Sequence, residues 1–339
     1  MLPEDIGDEW VFEFHPRPGE ALTLGVTRPK AVAGRTLAID SVQHMASVGK
    51  RAIDERLTIA YRSTRGGRHT IALPENARVN EVTVDDEAVQ LRPDKGRLSL
   101  NLLPGEHSVE VAWSVRADVG AVTRPSTVDL ASPASNVRTT LTLPYDRWVL
   151  LTAGEGVGPV VLYWGELIIF LATAWLLGRW AFSPLRTYEW VLLGIGLSTF
   201  SWWVFVLVAA WLFIMRWREG WNPQMPAWRF NTLQVLLAVL TVVAVTTLIF
   251  SGIRGSLLGM PDMSVGGPGS GSNTFSWFVD QIEGALPRPL VFSVPMWVYR
   301  ALMFAWALWI VLALLRWLRW AWAAWKANGF WRGEVVRAA

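Results

Sequence analysis

The amino-terminal half of the chain alternates apolar and polar residues, and turn residues separate the alternating runs. The clearest runs contain Leu22, Leu24 and Val26; Leu57, Ile59 and Tyr61; Leu98, Leu100 and Leu102; and Val109, Val111, Trp113 and Val115. Period two places one face of a strand in a core and the other in water. The joints Gly66-Gly67, Asp85-Asp86, Asp94-Lys95-Gly96 and Pro104-Gly105 are typical of hairpins. The pattern predicts an all-β, sandwich-like domain over residues 1–153.

The carboxy-terminal half contains long hydrophobic segments. They are Gly158–Leu177, Trp190–Met215, Leu233–Phe250 and Met296–Leu315. About 20 apolar helical residues cross the hydrocarbon core of a bilayer. We therefore predict a helical transmembrane domain of about four membrane segments over residues 154–332, followed by a tail at 333–339. The second segment contains the sequence GIGLST near its middle and is either a simple span or a re-entrant or interfacial hairpin.

Three glycines, Gly154, Gly156 and Gly158, separate the two halves. Such a string could suggest a phosphate-binding loop, but the Walker lysine is missing and an apolar segment follows. Glycine permits many backbone conformations. The sequence therefore predicts a flexible hinge at the membrane interface.

The stretch between the last two apolar segments, residues 252–295, contains the low-complexity tract GGPGSGSN. After this tract, apolar residues fall on one helical stripe: Phe275, Phe278, Val279, Ile282 and Leu286. Asp280, Gln281 and Glu283 lie on the opposite side of that helix. The pattern predicts a glycine-rich loop carrying a short amphipathic helix that lies on the membrane surface.

Charge divides the chain at the same place. Residues 1–157 carry 18 Lys+Arg and 21 Asp+Glu (net −3), and the remainder carries 13 and 7 (net +6) and 19 of the 22 tryptophans. Basic residues mark the cytoplasmic flanks of membrane segments, so we place the carboxy-terminus in the cytoplasm. If the second apolar segment is a hairpin, the β-domain is periplasmic; if it is a simple span, the β-domain is cytoplasmic. The acidic amino-terminus lacks a signal-peptide pattern, which favours the second alternative.

Two charges lie within the predicted spans, Glu166 in the first and Arg300 in the last. A charge at membrane depth costs about 2.5–3.5 kcal/mol on insertion scales. We consider three explanations. The two side chains form an intramembrane pair or face a shared polar cavity; Arg300 reaches the surface while Glu166 bonds a neighbouring helix; or both line a transport path.

Most chemical functions find no support in the sequence. The chain has no cysteine and four histidines, His15, His44, His69 and His107, and it contains neither H-E-x-x-H nor G-x-S-x-G. We predict surface positions for the histidines, a solvated hairpin tip around Arg62 and Arg68, and lipid contact, packing or interfacial anchoring for the tryptophans. We predict no metal, no cofactor, no nucleic-acid partner and no enzymatic activity.

Three segments carry a resemblance to known proteins: LPYDRWVLLTAGEGVGPVVLYWGEL, SPLRTYEWVLLGIGLSTFSW and FSVPMWVYRALMFAWALW. They resemble the carboxy-terminal region of large uncharacterised bacterial membrane proteins, in which a long exported portion precedes the equivalent spans. The resemblance implies no known activity, but it implies a chain that ends a longer protein and a periplasmic β-domain in the bacterial inner membrane. The first functional hypothesis is an interaction or scaffold module anchored in the lipid bilayer, with protein partners or other subunits in the membrane. The alternative is a transporter or channel component with a polar site at Glu166 and Arg300.

Overall fold

The computed structural model describes residues 4–6, 9–11, 19, 36–117, 120–198, 202–221, 225–253, 255, 259–327 and 329–332. The chain forms two compact units. The strand unit combines Met1–Val161 with Ser264–Pro295, and the helical unit combines Leu162–Met263 with Met296–Ala339. The strand unit is therefore discontinuous in sequence, whereas we predicted a single stretch, 1–153. The predicted tail at 333–339 lies outside the described residues.

The described part of the strand unit contains sixteen strands, most of them short. They are β1 (Glu4–Ile6), β2 (Glu9–Val11), β3 (Leu37–Val48), β4 (Ala52–Ser63), β5 (Gly67–Ala72), β6 (Arg78–Val84), β7 (Glu87–Ala88), β8 (Arg97–Leu102), β9 (Gly105–Arg116), β10 (Val122–Thr123), β11 (Ala134–Thr142), β12 (Arg147–Ala153), β13 (Val160–Val161), β14 (Val265–Gly266), β15 (Thr274–Ile282) and β16 (Leu290–Pro295).

Seven strands form one sheet in the order β15-β11-β3-β4-β9-β6-β7. Within it β4 lies antiparallel to both β3 and β9, with Ile59 opposite Val42 on one side and Leu57 opposite Val111 on the other. Their side chains are buried together with those of β5 and β8, such as Leu98, in one core cluster. This burial follows from the alternation in the sequence. The prediction of an amino-terminal region made mostly of sheet is confirmed.

The segment predicted as an amphipathic interfacial helix is a strand of this sheet. Phe275, Phe278, Val279 and Ile282 lie in β15, and Leu286 follows it and is buried in the core. β15 pairs antiparallel with β11, which places Phe275 opposite Leu141 and Trp277 opposite Thr139. Phe275 and Trp277, two positions apart, are both buried because alternate strand residues share a face. The helix prediction was wrong because this segment pairs with β11 along its length, and Ser276, between the two aromatic residues, is buried as well.

The glycine string is packed closely against β15 and is not a flexible hinge. A side chain at Gly154 would lie 2.7 Å from the Trp277 indole nitrogen, and one at Gly158 would overlap the same ring. Gly156 has a positive φ of 78°, which is unfavourable for other residues. Val157 exchanges backbone hydrogen bonds of 2.9 and 2.8 Å with Phe278. The three glycines therefore allow the backbone to approach Trp277 and Phe278.

The first four described helices lie between two strands of the strand unit, β13 and β14. The chain leaves at β13 and returns at β14, and these strands pair antiparallel, with Val160 opposite Gly266 and Val161 opposite Val265. The chain leaves a second time after β16, which lies between β10 and β12 and is followed directly by the last helix. The two ends of the helical segment between β13 and β14 are therefore held side by side.

The helical unit contains α1 (Tyr163–Arg179), α2 (Thr187–Ser198), α3 (Trp202–Arg218), α4 (Ala227–Thr247) and α5 (Met296–Lys326). A π-helical turn, Leu248–Ile253, extends α4. Among the described residues, the stretches Ala227–Phe250 and Met296–Lys326 are long and apolar enough to cross a bilayer. The 26-residue apolar segment is divided between α2 and α3.

Close packing between α2 and α5 depends on a glycine. The Trp306 ring lies directly where a side chain at Gly196 would be, and its indole nitrogen donates to the Leu192 carbonyl at 2.8 Å. A small residue permits such close approach between two helices. Trp306 and Trp317 of the last helix are buried, so these two tryptophans pack inside the helical unit.

The predicted Asp85-Asp86 turn joins β6 to β7 and carries an ionic pair. Both residues have positive φ, 49° and 64°, as a type I′ turn requires. His107 contacts an Asp85 oxygen from Nδ1 at 2.6 Å and the Pro104 carbonyl from Nε2 at 3.0 Å. These contacts, the one to Pro104 most strongly, raise the pKa of His107 above its ordinary 6.5. The Ser108 N–H and then His107 lower the pKa of Asp85.

We predict a pH-dependent contribution from His107. Because its pKa is raised by folding, its stabilisation is complete below its ordinary pKa of 6.5 and is lost as the pH rises through the raised value. At about pH 6 the urea midpoint of unfolding should therefore be higher for wild type than for the His107→Gln variant. At about pH 9 this difference should be smaller. Urea unfolding of the full chain in detergent, followed by pulse proteolysis at both pH values, measures this. A difference that grows with pH would contradict the assignment.

We predict that Gly158→Ala lowers the free energy of unfolding by about 1–3 kcal/mol, because the new methyl group displaces Trp277. Gly67→Ala is the matched control, since no atom lies within 4 Å of its added methyl group; it should stay within about 0.5 kcal/mol of wild type. The same urea series measures both. A flexible hinge would leave Gly158→Ala unchanged.

Candidate functional site

Glu166 and Arg300, the predicted intramembrane pair, do not meet in the structure. Both side chains are exposed, and neither takes part in an ion pair among the described residues. Because β13 occupies Val160–Val161, α1 begins only at Tyr163. Glu166 and Arg300 are then about 4.5 and 6 Å from the first residues of their helices. Both charges lie within the first two helical turns, where a long side chain reaches an interface.

A buried histidine and carboxylate lie in the core of the strand unit. His44 on β3 and Glu55 on β4 are 0% and 2% exposed, and His44 Nε2 lies 2.7 Å from Glu55 Oε2. The other carboxylate oxygen accepts hydrogen bonds from the Ser126 N–H, at 3.0 Å, and from the Ser126 hydroxyl. The imidazole stacks on Trp113 with ring centroids 5.7 Å apart. The prediction that the histidines lie on the surface was therefore wrong for His44.

The order of the groups in this buried network differs from that of a serine triad. In a serine triad the imidazole lies between the serine and the carboxylate, so that it can take the hydroxyl proton. Here the carboxylate lies between Ser126 and His44, so the imidazole has no contact with the hydroxyl. The hydrogen bonds that a buried carboxylate accepts compensate part of the free energy lost when it leaves water. Within the described residues, no three His, Asp or Glu side chains are grouped as metal ligands.

In the described part of the strand unit, a cavity of about 380 Å³ lies beside the Asp85 turn. Its walls come from β6, β7, β8 and the segment between the last two: Val84, Asp85, Glu87, Val89, Leu91, Leu100, Asn101 and Leu103. The lining is apolar with two carboxylates at the rim. Leu103 and Val89 are 49% and 39% exposed, so a partner would cover apolar surface there.

The basic ends of the helices are grouped together in the helical unit. Arg316 of α5 contacts Glu189 of α2 at 3.3 Å. The Trp320 indole nitrogen of α5 donates to Glu219, just after α3, at 2.8 Å. Arg216 of α3 lies 6.0 Å from the ring of Phe182, between α1 and α2. The basic loop after α1, the basic end of α3 and the basic end of α5 therefore lie at one end of this unit.

Arg218, the last residue of α3, is completely buried at this end. Its Nε donates to Gln234 of α4 at 3.2 Å, and one Nη donates to the carbonyls of Trp325 and Gly329 at 3.1 and 3.4 Å. Its guanidinium lies over the rings of Trp221 and Phe230, 4.7 and 5.0 Å from their centroids. No described carboxylate pairs with it. In the sequence, Arg218 contributes only to the basic excess of the carboxy-terminal half.

The sequence contains one signal for this buried polar cluster. Gln234 is a polar residue inside an apolar run, and it is 2% exposed. Its amide nitrogen donates to the carbonyls of Trp325 and Phe330 at 3.2 and 3.0 Å. A buried amide needs hydrogen-bonding partners, so its position predicts contact with other polar groups.

We predict that Glu55→Ala lowers the free energy of unfolding by about 3–5 kcal/mol, because His44 and the Ser126 N–H lose their buried partner. The matched control is Glu110→Ala in the same sheet, since the ion pair of Glu110 with Arg56 is partly exposed; it should cost no more than about 1 kcal/mol. Urea unfolding of the full chain compares them. Equal effects of the two substitutions would contradict the structural role of the buried network.

Comparison with known proteins identifies no family. No family model and no curated protein matches the chain. An M1 zinc metallopeptidase from Deinococcus radiodurans is 12% identical over 37% of this chain and 36% of its own, with a TM-score of 0.29. Aminopeptidase A from Legionella pneumophila is 9% identical over 38% and 18%, with a TM-score of 0.29. Yeast LTA4 hydrolase is 12% identical over 39% and 27%, with a TM-score of 0.28.

These matches overturn one prediction and assign nothing in its place. The proteins matched are metallopeptidases and a hydrolase, so the prediction that the chain is not an enzyme is withdrawn. The chain spans little more than a third of the first matched structures. At TM-scores below 0.3 the likeness supports neither their fold nor their activity for this chain.

Proposed function

We propose that the chain is an integral protein of the bacterial inner membrane, in which the helical unit anchors the strand unit as an interaction or scaffold module. The observation that carries this proposal is the apolar outer surface of the two longest helices. Leu236, Val239 and Val242 of α4 and Leu312 of α5 are 55–64% exposed. Each apolar side chain left in water costs about 1.5–3 kcal/mol relative to a buried one, and lipid removes that cost.

The pairing of β13 with β14 supports an even number of membrane crossings between them. Because Val161 and Val265 are opposite each other in the strand unit, the chain leaves and re-enters that unit on one side of the membrane. A simple span over Trp190–Met215 would give three crossings before the return. We therefore favour the alternative in which α2 and α3 form a bent pair, so that the chain has about four membrane segments. α2, with 12 residues, rises about 18 Å, which is shorter than a bilayer core of about 30 Å.

The grouping of basic helix ends supports the orientation. Arg216, Arg316 and the loop containing Arg179 and Arg186 belong to that end, and a basic bias marks the cytoplasmic side. The strand unit is joined to the opposite, amino-terminal ends of α1 and α5. We therefore propose a periplasmic strand unit and a cytoplasmic carboxy-terminus.

The strand unit is proposed to form a β-sandwich that docks a protein or glycan partner. The cavity of about 380 Å³ beside the Asp85 turn is the place we propose for docking, because it is concave and apolar with polar groups at its rim. The alternative of a transporter or channel is not taken further. It required a polar path at Glu166 and Arg300, and both side chains are exposed on separate helices.

We predict opposite accessibility for two single cysteines in a chain that has none of its own. Asn101→Cys lies at an exposed position of β8 and Gly220→Cys at the basic end of the helical unit. A membrane-impermeant maleimide should label Asn101→Cys in intact spheroplasts and Gly220→Cys only after lysis.

The control for this experiment is alkaline extraction of the same membranes, in which the chain should stay in the pellet. Labelling of Gly220→Cys in intact spheroplasts, with Asn101→Cys protected, would contradict the orientation. Release of the chain by alkali would contradict the membrane anchor.

A further inference from the structure

The buried guanidinium of Arg218 lacks one acceptor. Its Nη1 is enclosed and has no hydrogen-bond partner among the described residues, although its other donors reach Gln234, Trp325 and Gly329. A buried charge without a counter-charge is costly, because the lost hydration is not replaced. The aromatic rings of Trp221 and Phe230 offset only part of that cost. An anion beside Nη1 would supply both the missing acceptor and a counter-charge.

The surroundings of Arg218 add positive charge and a further donor. Arg332 lies over the same Phe230 ring, 4.2 Å from its centroid, and its Nη1 donates to the Met225 carbonyl at 2.9 Å. The Trp325 indole N–H is also buried without an acceptor. A guanidinium and an indole N–H that both need an acceptor suit a phosphate oxygen, which accepts strong charge-assisted hydrogen bonds.

An apolar groove adjoins this cluster. A cavity of about 200 Å³ lies between α3, α4 and α5, and its walls are Met215, Ala238, Thr241, Val242, Leu318, Ala321, Trp322 and Trp325. Trp325 belongs to both places, since it lines the groove and its carbonyl accepts from Arg218. Met215 lies one helical turn before Arg218 on α3. A ligand that fills both places must join an apolar chain to an anionic group.

We propose that an anionic phospholipid of the inner leaflet binds here, with its phosphate at Arg218 and Trp325 and one acyl chain in the groove. This inference rests on the proposed membrane anchor, which supplies the lipid, and on the basic end lying at the cytoplasmic surface. Basic pockets between membrane helices on that side hold anionic head groups. A free phosphate ion would satisfy the guanidinium but would leave the adjoining groove unfilled.

The test is native mass spectrometry of the full-length chain in neutral detergent, titrated with phosphatidylglycerol, phosphatidylcholine or inorganic phosphate. Wild type should bind phosphatidylglycerol about tenfold or more tightly than phosphatidylcholine, since hydrogen bonds to charged groups contribute about 1.5–3 kcal/mol. Arg218→Gln should lose this preference. Arg229→Gln is the matched control, because Arg229 is exposed at the same end of the helical unit and stacks on Trp228; it should retain the preference.

Two further variants keep the test informative if Arg218→Gln fails to fold. Trp325→Phe removes the indole N–H but keeps an aromatic ring, and Ala238→Phe fills the groove while leaving the arginines in place. Each should weaken binding of phosphatidylglycerol. Equal binding of both lipids by wild type, or full binding by Ala238→Phe with displacement by inorganic phosphate, would overturn the proposal. A chain that stays in alkali-washed membranes yet shows no lipid preference overturns the lipid site alone, whereas release by alkali overturns the anchor.

Discussion

Two strands of two residues each, β13 and β14, set the organisation of the chain. Their pairing holds Val161 beside Val265, so the segment that contains α1 to α4 begins and ends at neighbouring points of the strand unit. A segment that returns to its starting sheet crosses a membrane an even number of times or not at all. The number of crossings, the bent pair of α2 and α3 and the side assigned to the strand unit all depend on this contact. The packing of Trp277 on Gly154 and Gly158 reinforces it from the adjoining strand.

The two units treat buried polar groups differently. In the strand unit Glu55 accepts hydrogen bonds from His44 and Ser126, so the buried carboxylate is compensated within the chain. In the helical unit Arg218 is equally buried, but it has only neutral acceptors and an open Nη1. In the first arrangement His44 Nδ1 is buried without a hydrogen-bond partner among the described residues, but the Glu55 carboxylate itself is paired. The second leaves the positive charge of Arg218 without a described counter-charge, which is the basis of the proposed lipid site.

Local patterns in the sequence were sufficient for the elements but not for their partners. Alternation at Leu57 and Ile59 predicted strands because neighbouring side chains on a strand face opposite sides, whatever the strand pairs with. The β15 segment could not be assigned in this way, since its apolar residues also fit a helical stripe and only pairing with β11 decides between them. The sequence predicts a glycine-rich loop over residues 252–295 for the same reason. The pairing of β15 with β11 spans more than one hundred residues and leaves no local signal.

The same limit applies to the site. The sequence predicts a surface position for His44 because its partner Glu55 belongs to another strand. It does not indicate that Arg218 is buried, because Gln234 and Trp325 belong to other helices. The most direct measurement is therefore of the β13–β14 contact, made with Val160→Cys and Gly266→Cys in the otherwise cysteine-free chain. Antiparallel neighbours about 4.5–5.5 Å apart at Cα can form a disulfide. Mild oxidation of membranes should link the two, so that protease cleavage at the basic loops leaves one band without reductant. Two separate fragments after oxidation would show that the helices do not return to the strand unit where they left it.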